Sequence, residues 1–292
     1  MTGSSAPGSG PGVDGTLGRV IDPVVSVSWL REHRNEVIVA DVRWYLDGRS
    51  GRAAYDRGHL PGAVFVELED VLSGPADETT GRHPLPSPDA FAAELSGLGI
   101  GDDATVVAYD DEGGVIAARL VWMLRALGRS AAILDGGIRA WAGALETAPN
   151  VLPPASATPL PWPAELLAPL DELATTDSVI LDARNGDRYR GEHEPVDPRA
   201  GHVPGAVSVP CRENLDPDGR LLSRSALRRR FEEAGVTAGR PVISYCGSGV
   251  TATHNLLTLE YAGLGRGRLY PGSWSQYSRA EHLPVETGDP RG

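Results

Sequence analysis

The residue with the clearest capacity for covalent chemistry is Cys246, because its neighbours favour a reactive thiol. It directly follows the apolar run 242–245 and opens the segment Cys-Gly-Ser-Gly-Val-Thr-Ala. Gly247 and Gly249 let consecutive backbone N–H groups turn inward as an anion-binding nest. The run 251–259 is typical of a helix start, and a helix dipole stabilises negative charge at its amino end. Together these features predict a nucleophilic thiolate at Cys246.

The second cysteine, Cys211, lacks such a setting. It follows Val209 and Pro210 without a glycine loop, so we interpret it as a buried and inert thiol. Two cysteines are too few for the disulfide framework of a secreted protein, which indicates a reducing compartment and predicts a cytoplasmic location. The segment 1–18 is rich in Gly, Ser and Pro and has no signal-peptide pattern, so a disordered tail is predicted there.

Composition excludes several classes of function. The net charge of -12 disfavours a general nucleic-acid binder. No apolar run reaches the roughly 20 residues that a membrane helix needs. All 27 basic residues are arginine, so chemistry that depends on a lysine amine is excluded. No His and Cys cluster has the spacing of metal ligands, so neither a metal nor an organic cofactor is expected.

An internal repeat organises the chain. Each half contains an Asp-x-Arg strand end, a Gly-His-x-Pro-Gly-Ala turn, a second apolar run and a late glycine-containing turn, in the same order. The paired segments are 37–43 with 178–184, 58–64 with 201–207, 105–110 with 241–246, and 134–137 with 270–273. A period of roughly 140 residues is far longer than a solenoid unit, so the pattern predicts duplication of a whole domain.

The order of apolar and helical patterns predicts the fold class. Short runs rich in Val and Ile alternate with helical stretches such as 117–127 and 225–234. This alternation predicts an α/β fold in which each domain has a parallel sheet covered by helices on both faces. Residues 148–163 contain six prolines, which indicates a semi-rigid linker. The predicted domains are therefore 19–147 and 164–292.

The repeated motifs and the cysteine loop together resemble the tandem-domain rhodanese superfamily. The resemblance covers both halves of the chain and includes the late Gly-Ser-Trp at 272–274. The loop that begins at Cys246 is most similar to the loop of 3-mercaptopyruvate sulfurtransferases. The resemblance implies two tandem rhodanese-like domains, of which the first lacks the cysteine because Asp110 stands in its place. Only the second domain is then expected to be catalytic.

The resemblance implies a sulfurtransferase that carries sulfur as a persulfide on Cys246. Relatives that use thiosulfate have basic residues in the loop, whereas Gly247 and Ser248 are uncharged. The expected donor is therefore the small anion 3-mercaptopyruvate, which leaves as pyruvate. The expected acceptor is cyanide or a thiol, either a small thiol or a protein such as thioredoxin. A thiosulfate sulfurtransferase is the alternative enzyme, and a non-enzymatic sulfur-relay or binding module is a second alternative.

The same resemblance implies which residues bind the substrate. Arg188 matches an arginine that holds the substrate carboxylate, and a planar guanidinium suits that role. Arg199 is the nearest candidate for a second substrate arginine, in a segment of variable length. The loop residues expected to contact the substrate are Gly247, Gly249, Val250 and Thr251.

Three further residues are implied in proton transfer or in contact with the cleft. Ser248 is expected to share a proton with the thiol or with the leaving enolate. Glu69 stands where the family has an acidic residue, often Asp, that forms a relay with the loop serine and the cysteine. His83 matches a histidine near the cleft of relatives. The catalytic set implied by the resemblance is Cys246, Ser248 and Glu69.

A phosphatase of the cell-cycle type is disfavoured, although it shares this fold. Such enzymes use a Cys-x5-Arg loop, and the residue at that distance from Cys246 is Ala252. Other motif residues occur in both copies, including the copy without a cysteine, and we interpret them as structural. They are Asp41, Arg43 and His59 in the first copy and Asp182, Arg184 and His202 in the second.

Overall fold

The computed structural model describes residues 21–77 and 79–289, and the predicted tail 1–18 lies outside the described residues. These residues form two parallel sheets. The first contains β1 (Val24–Val25), β2 (Val37–Asp41), β3 (Val64–Phe65), β4 (Thr105–Tyr109) and β5 (Ala131–Leu134), in the order β1-β5-β4-β2-β3. The second contains β6 (Val179–Asp182), β7 (Val207–Ser208), β8 (Val242–Tyr245) and β9 (Arg268–Leu269), in the order β7-β6-β8-β9. All pairings between these strands are parallel.

Helices flank both sheets, so the predicted α/β fold class is confirmed. Domain 1 contains α1 (Val27–Glu32), α2 (Gly51–Arg57), α3 (Leu68–Val71), α4 (Pro88–Gly97) and α5 (Ala118–Ala126). Domain 2 contains α6 (Gly186–Arg190), α7 (Arg224–Glu233), α8 (Ala252–Tyr261) and α9 (Ser273–Tyr277). Short 3-10 segments span Gly137–Ala140, Ala164–Leu166, Leu170–Ala174 and Cys211–Asn214. The predicted linker 148–163 contains neither helix nor strand.

Both faces of the first sheet are buried, which explains its continuous apolar runs. Successive residues of β4 point to opposite faces. Val106 and Ala108 pack into one hydrophobic cluster, and Val107 and Tyr109 pack into another.

The cysteine loop rests on a core that the two domains share. One hydrophobic cluster joins Val121 and Leu124 of α5 to Cys246 and Leu256 of domain 2. Helix α5 is buried on nearly its whole circumference because it packs against α8 on one side and against its own sheet on the other. No described helix combines the length and the apolar character that a membrane span requires.

Candidate active site

Cys246 lies at the carboxyl end of the central strand β8, and backbone N–H groups of α9 donate hydrogen bonds to its loop. The Trp274 N–H donates to the Cys246 carbonyl at 2.9 Å, and the Ser275 N–H donates to the Gly247 carbonyl at 2.8 Å. The Cys246 N–H donates to Ser273 Oγ at 3.1 Å. Ser273 has a φ of 51°, the only positive φ among the described non-glycine residues. Such a conformation persists only where surrounding contacts enforce it, and the bond to Cys246 is one of them.

Gly249 supplies the backbone donor that contacts the thiol. Its N–H donates to Cys246 Sγ at 3.1 Å. Its φ is +82°, and an added Cβ would lie 2.6 Å from the carbonyl oxygen of Pro271. No other residue type fits this position without moving the backbone. The glycine predicted as part of an anion nest is therefore required by both the turn and the close approach of Pro271.

A cavity of about 470 Å³ opens between the two domains beside Cys246. Cys246 is only 2% exposed, so reagents reach its sulfur through this cavity. Four loop residues predicted to contact substrate or to assist catalysis line it: Gly247, Ser248, Val250 and Thr251. Five arginines also line it: Arg49, Arg82, Arg184, Arg188 and Arg212. These five arginines outnumber the three acids that line the same cavity, Asp47, Glu112 and Asp187, which favours the binding of a small anion.

Ser248, His83 and Glu69 form one hydrogen-bonded chain across the domain interface. His83 Nδ1 lies 2.7 Å from Ser248 Oγ, and His83 Nε2 lies 3.1 Å from Glu69 Oε1. The Trp44 indole N–H also donates to Glu69 Oε1 at 3.1 Å. The structure thus brings the three residues together, and Glu69 reaches Ser248 through the imidazole.

The protonation state of His83 follows from its surroundings. Burial lowers the pKa of His83, the nearby Glu69 carboxylate opposes that effect, and Arg119 and Arg82 add to it. The ring is therefore neutral near pH 7. A carboxylate can only accept, so Nε2 carries the hydrogen and Nδ1 accepts the Ser248 hydroxyl. Ser248 is thereby oriented as a donor toward domain 1 and as an acceptor toward the cavity.

Arg188 lies on the cavity wall with one edge held by acids. Its Nε and Nη2 donate to Glu194 at 3.1 and 2.6 Å, and Nη2 also lies 3.2 Å from Asp197 Oδ2. Its Nη1 would lie 3.4 Å from a Cβ added to Gly247. The guanidinium is thus fixed by two buried carboxylates and directs its remaining edge toward the loop.

The structure does not bring Arg199 to the cavity. Its Nε and Nη1 donate to the carbonyls of Ser278 and Leu283 at 2.7 and 2.8 Å. Its Nη2 donates to the carbonyls of Tyr277 and Ala280 at 2.9 and 2.8 Å. All three nitrogens are used to cap the end of α9. Arg199 was predicted to contact the substrate, but its side chain turns toward these carbonyls, and it is not among the residues that line the cavity beside Cys246.

Arg82 also lines the cavity, although no sequence motif indicated it. A Cβ added to Gly247 would lie 3.3 Å from Arg82 Nη2, and Arg82 Nη1 pairs with Asp197. Its only sequence signal is its position directly before His83, the residue matched to the cleft of relatives.

Arg119, on α5, is a second residue of the site that no sequence motif indicated. It is fully buried, and its Nη1 donates to the Gly249 carbonyl at 2.9 Å. Its Nη2 donates to the carbonyls of His83 and Leu72 at 3.0 and 3.2 Å. Burial lowers the pKa of Arg119 to about 10, and the Cys246 thiol is the group that opposes this effect. An arginine inside an apolar helical stretch was the available signal.

The loop of domain 1 places Asp110 where domain 2 has Cys246. Asp110 Oδ1 accepts the N–H groups of Glu112 and Gly114, both at 2.8 Å. Its Oδ2 accepts those of Ile116 and Ala117 at 2.7 and 2.9 Å. Burial raises the pKa of Asp110, and these four donors oppose that rise. The side chain occupies its own loop, so no space for a substrate remains there.

The remaining cysteine, Cys211, does not line the cavity. Cys211 is buried, and burial raises the pKa of its thiol to about 11. It is not among the residues that line the cavity beside Cys246. Among the described residues, no group of three or more His, Cys, Asp or Glu side chains is arranged to hold a metal ion.

The two copies match one family model. The model of the rhodanese-like domain matches residues 26–144 and 163–280. A Pseudomonas aeruginosa protein assigned as a 3-mercaptopyruvate sulfurtransferase is 43% identical over 267 residues, which cover 87% of this chain and 93% of the relative. A Mycobacterium tuberculosis protein assigned as the thiosulfate sulfurtransferase SseB is 40% identical over 279 residues, covering 93% and 98% of the two chains.

A solved structure extends the similarity to three dimensions. The 3-mercaptopyruvate sulfurtransferase from Leishmania major superposes with a TM-score of 0.79 at 32% sequence identity. The match covers 87% of this chain and 74% of that one. The predicted family and enzyme class are confirmed. The chain therefore belongs to the rhodanese family, as a sulfurtransferase built from two rhodanese-like domains.

Proposed function

We propose that this sulfurtransferase takes sulfur from 3-mercaptopyruvate, holds it as a persulfide on Cys246 and passes it to a thiol or to cyanide. One observation carries the choice of donor. The two residues after Cys246 are uncharged, and the free edge of Arg188 approaches the loop at Gly247, where a Cβ would lie 3.4 Å from Nη1. A small donor with a carboxylate fits between this guanidinium and the thiol.

The first half-reaction transfers one sulfur atom. The Cys246 thiolate forms a bond to the donor sulfur while the carbon–sulfur bond of the donor breaks. The electron pair of that bond stays on carbon, which leaves as the enolate of pyruvate. The proton of the donor thiol ends on this carbon and gives pyruvate. The Gly249 N–H, 3.1 Å from Sγ, stabilises the attacking thiolate, and after the transfer the negative charge is on the outer sulfur of the persulfide.

The Ser248, His83 and Glu69 chain suits the movement of that proton. Ser248 Oγ lines the cavity and lies 2.7 Å from His83 Nδ1. A serine that donates to a neutral imidazole can accept a proton from the donor thiol as it gives its own to the ring. The Glu69 carboxylate, 3.1 Å from Nε2, stabilises the imidazolium that forms. Reversal of these transfers returns the proton to the enolate carbon.

The second half-reaction regenerates the thiolate. An acceptor thiolate attacks the outer sulfur of the persulfide, the sulfur–sulfur bond at Cys246 breaks, and the acceptor leaves as a persulfide. Cyanide leaves as thiocyanate by the same step. A sulfur donor and a thiol or cyanide acceptor follow from the enzyme class. A small thiol or a thioredoxin-like protein as the acceptor, and a cytoplasmic location, remain predictions.

Thiosulfate is the second candidate donor. It is favoured by the Mycobacterium tuberculosis relative, which is assigned as a thiosulfate sulfurtransferase at 40% identity. The arginines of the cavity would attract its two negative charges as well. The uncharged loop favours 3-mercaptopyruvate as the faster donor.

Steady-state kinetics with the two donors test the proposal. We expect kcat/KM for 3-mercaptopyruvate to exceed that for thiosulfate by about tenfold or more, which corresponds to roughly 1.4 kcal/mol of differential stabilisation. The Cys246→Ser variant, measured in parallel, controls for transfer that bypasses the enzyme. A higher kcat/KM for thiosulfate would contradict the proposed donor.

A further inference from the structure

We propose that Arg82, from domain 1, is the second guanidinium that grips the donor carboxylate, so that substrate recognition is divided between the domains. This inference rests on the proposed function and specifies its substrate class. Arg188 of domain 2 and Arg82 approach the loop from the two sides of Gly247. Between them they hold a donor with a carboxylate and an adjacent carbonyl, the 2-oxo acid arrangement.

The missing side chain of Gly247 marks the binding position. A Cβ on this residue would lie 3.3 Å from Arg82 Nη2 and 3.4 Å from Arg188 Nη1. Both guanidiniums thus direct a nitrogen to the same small space, next to Cys246 in the chain. Two planar groups that converge on one point can bind two oxygens of one small anion.

Asp197 holds the two guanidiniums in this arrangement. Its Oδ1 pairs with Arg82 Nη1, and its Oδ2 lies 3.2 Å from Arg188 Nη2. The Asp197 side chain is only 1% exposed, so water does not compete for these contacts. One buried carboxylate therefore fixes the outer edges of both arginines and leaves their other edges for the ligand.

Arg82 reaches the site because its segment of domain 1 is pressed against α9. A Cβ added to Gly81 would lie 2.3 Å from the carbonyl oxygen of Gly272. The Arg82 N–H donates to Ser275 Oγ at 3.0 Å. Ser275 also donates its own N–H to the Gly247 carbonyl at 2.8 Å, so Arg82 and the cysteine loop share one support.

The position of Arg199 strengthens this assignment. A second substrate arginine was expected from domain 2, yet Arg199 donates all its guanidinium nitrogens to carbonyls at the end of α9. Arg82, unlike Arg199, lines the cavity and supplies a second guanidinium there. Binding of the donor consequently requires the two domains to be docked.

The test compares Arg82→Met and Arg82→Lys with wild type and with Arg279→Met. Arg279 is an exposed arginine near Arg82 that does not line the cavity beside Cys246. For Arg82→Met we expect KM for 3-mercaptopyruvate to rise about 10- to 100-fold, the effect of removing hydrogen bonds to a charged group, while kcat changes less than about threefold. Arg82→Lys should fall between Arg82→Met and wild type, and Arg279→Met should match wild type.

A donor without a carboxylate separates binding from chemistry. Each protein is loaded with sulfur from sodium polysulfide and discharged with cyanide, and in the Arg82 variants both rates should change far less than the KM for 3-mercaptopyruvate. An unchanged KM for 3-mercaptopyruvate in Arg82→Met would overturn the proposal. Equal losses with polysulfide and 3-mercaptopyruvate in both variants would also overturn it, since Arg82 would then shape the loop only. Failure of the proposed function itself would instead appear as a wild-type protein that accepts no sulfur from 3-mercaptopyruvate.

Discussion

The loops that follow β4 and β8 share one scaffold but use it differently. In domain 1 the Ile138 N–H donates to the Asp110 carbonyl at 2.9 Å, and in domain 2 the Trp274 N–H donates to the Cys246 carbonyl at the same distance. The residue before each donor has a left-handed φ, +55° at Gly137 and 51° at Ser273. Duplication has preserved the backbone that supports each loop.

The difference lies in what fills the loop. In domain 1 the Asp110 carboxylate accepts hydrogen bonds from four backbone N–H groups of its own loop. In domain 2 the Cys246 sulfur accepts one backbone hydrogen bond, from the Gly249 N–H, and lines a cavity. Both loops therefore direct backbone N–H groups toward the side chain that follows the strand. In domain 1 this side chain is the Asp110 carboxylate, which stays bound within the loop. In domain 2 it is the Cys246 sulfur, which is open to a substrate and to the sulfur atom that it accepts.

Each domain also places a buried side chain beside the loop of the other domain, and the two side chains differ. Arg119 and His254 each stand two residues after the alanine of a Gly-Val-x-Ala segment. Arg119 of domain 1 donates to the carbonyl of Gly249 in the cysteine loop. His254 of domain 2 lies beside the backbone of Gly113, and burial together with the charge of Arg212 lowers its pKa to about 3. The cation thus donates a hydrogen bond to the reactive loop, whereas a neutral ring lies beside the other loop.

The filled loop provides the largest expected effect on stability. In Asp110→Asn the amide nitrogen replaces one carboxylate oxygen, which in wild type accepts two backbone N–H groups. These two buried donors then lose their acceptor. We expect the free energy of unfolding to fall by about 3 kcal/mol or more, measured by urea denaturation. The exposed Asp103→Asn is the control and should change stability by less than about 0.5 kcal/mol. A loss below about 1 kcal/mol in Asp110→Asn would show that the carboxylate does not hold the loop.

The sequence predicted the duplicated scaffold and the different roles of Asp110 and Cys246, since both are visible as paired motifs. It indicated Arg188, which lines the cavity, but it did not indicate Arg82, because a side chain's direction depends on contacts made by distant segments. Arg199 turns to the carbonyls at the end of α9, while Arg82 arrives from 164 residues before Cys246 through the contact of Gly81 with Gly272. The four-fold bonding of Asp110 likewise depends on a turn geometry that its sequence alone does not reveal.

His254 gives a pH dependence that distinguishes the two sides of the interface. The unfolded chain protonates a histidine near pH 6.5, whereas the folded state does so only near pH 3. Stability is therefore present above pH 6.5 and is lost as the pH falls from 6.5 toward 3, by about 2 kcal/mol at pH 5. His254→Gln should remove this part of the slope in denaturation series between pH 5 and 7.5, and the exposed His282→Gln should not. Identical slopes in wild type and His254→Gln would refute this role.

Glu69 is expected to give the smallest effect, because it acts on the reactive loop through His83. The Glu69 charge raises the pKa of His83, so in Glu69→Gln that pKa falls further and the acid limb of the kcat profile moves to lower pH. The uncharged amide also stabilises the imidazolium less, and we expect kcat at pH 7 to fall about three- to tenfold. The neighbouring exposed Asp70→Asn is the matched control. A lower kcat with an unshifted acid limb would indicate that Glu69 only supports packing.

Intact-mass spectrometry after exposure to 3-mercaptopyruvate tests the central difference between the two loops most directly. Wild type and Cys211→Ser should each gain one sulfur, about 32 Da, and peptide mapping should place it on Cys246. Cys246→Ser should gain none, because Cys211 does not line the cavity and burial raises the pKa of its thiol to about 11. A sulfur gained by Cys246→Ser, or mapped to Cys211 in wild type, would contradict the assignment of the loop after β8 as the one that carries sulfur.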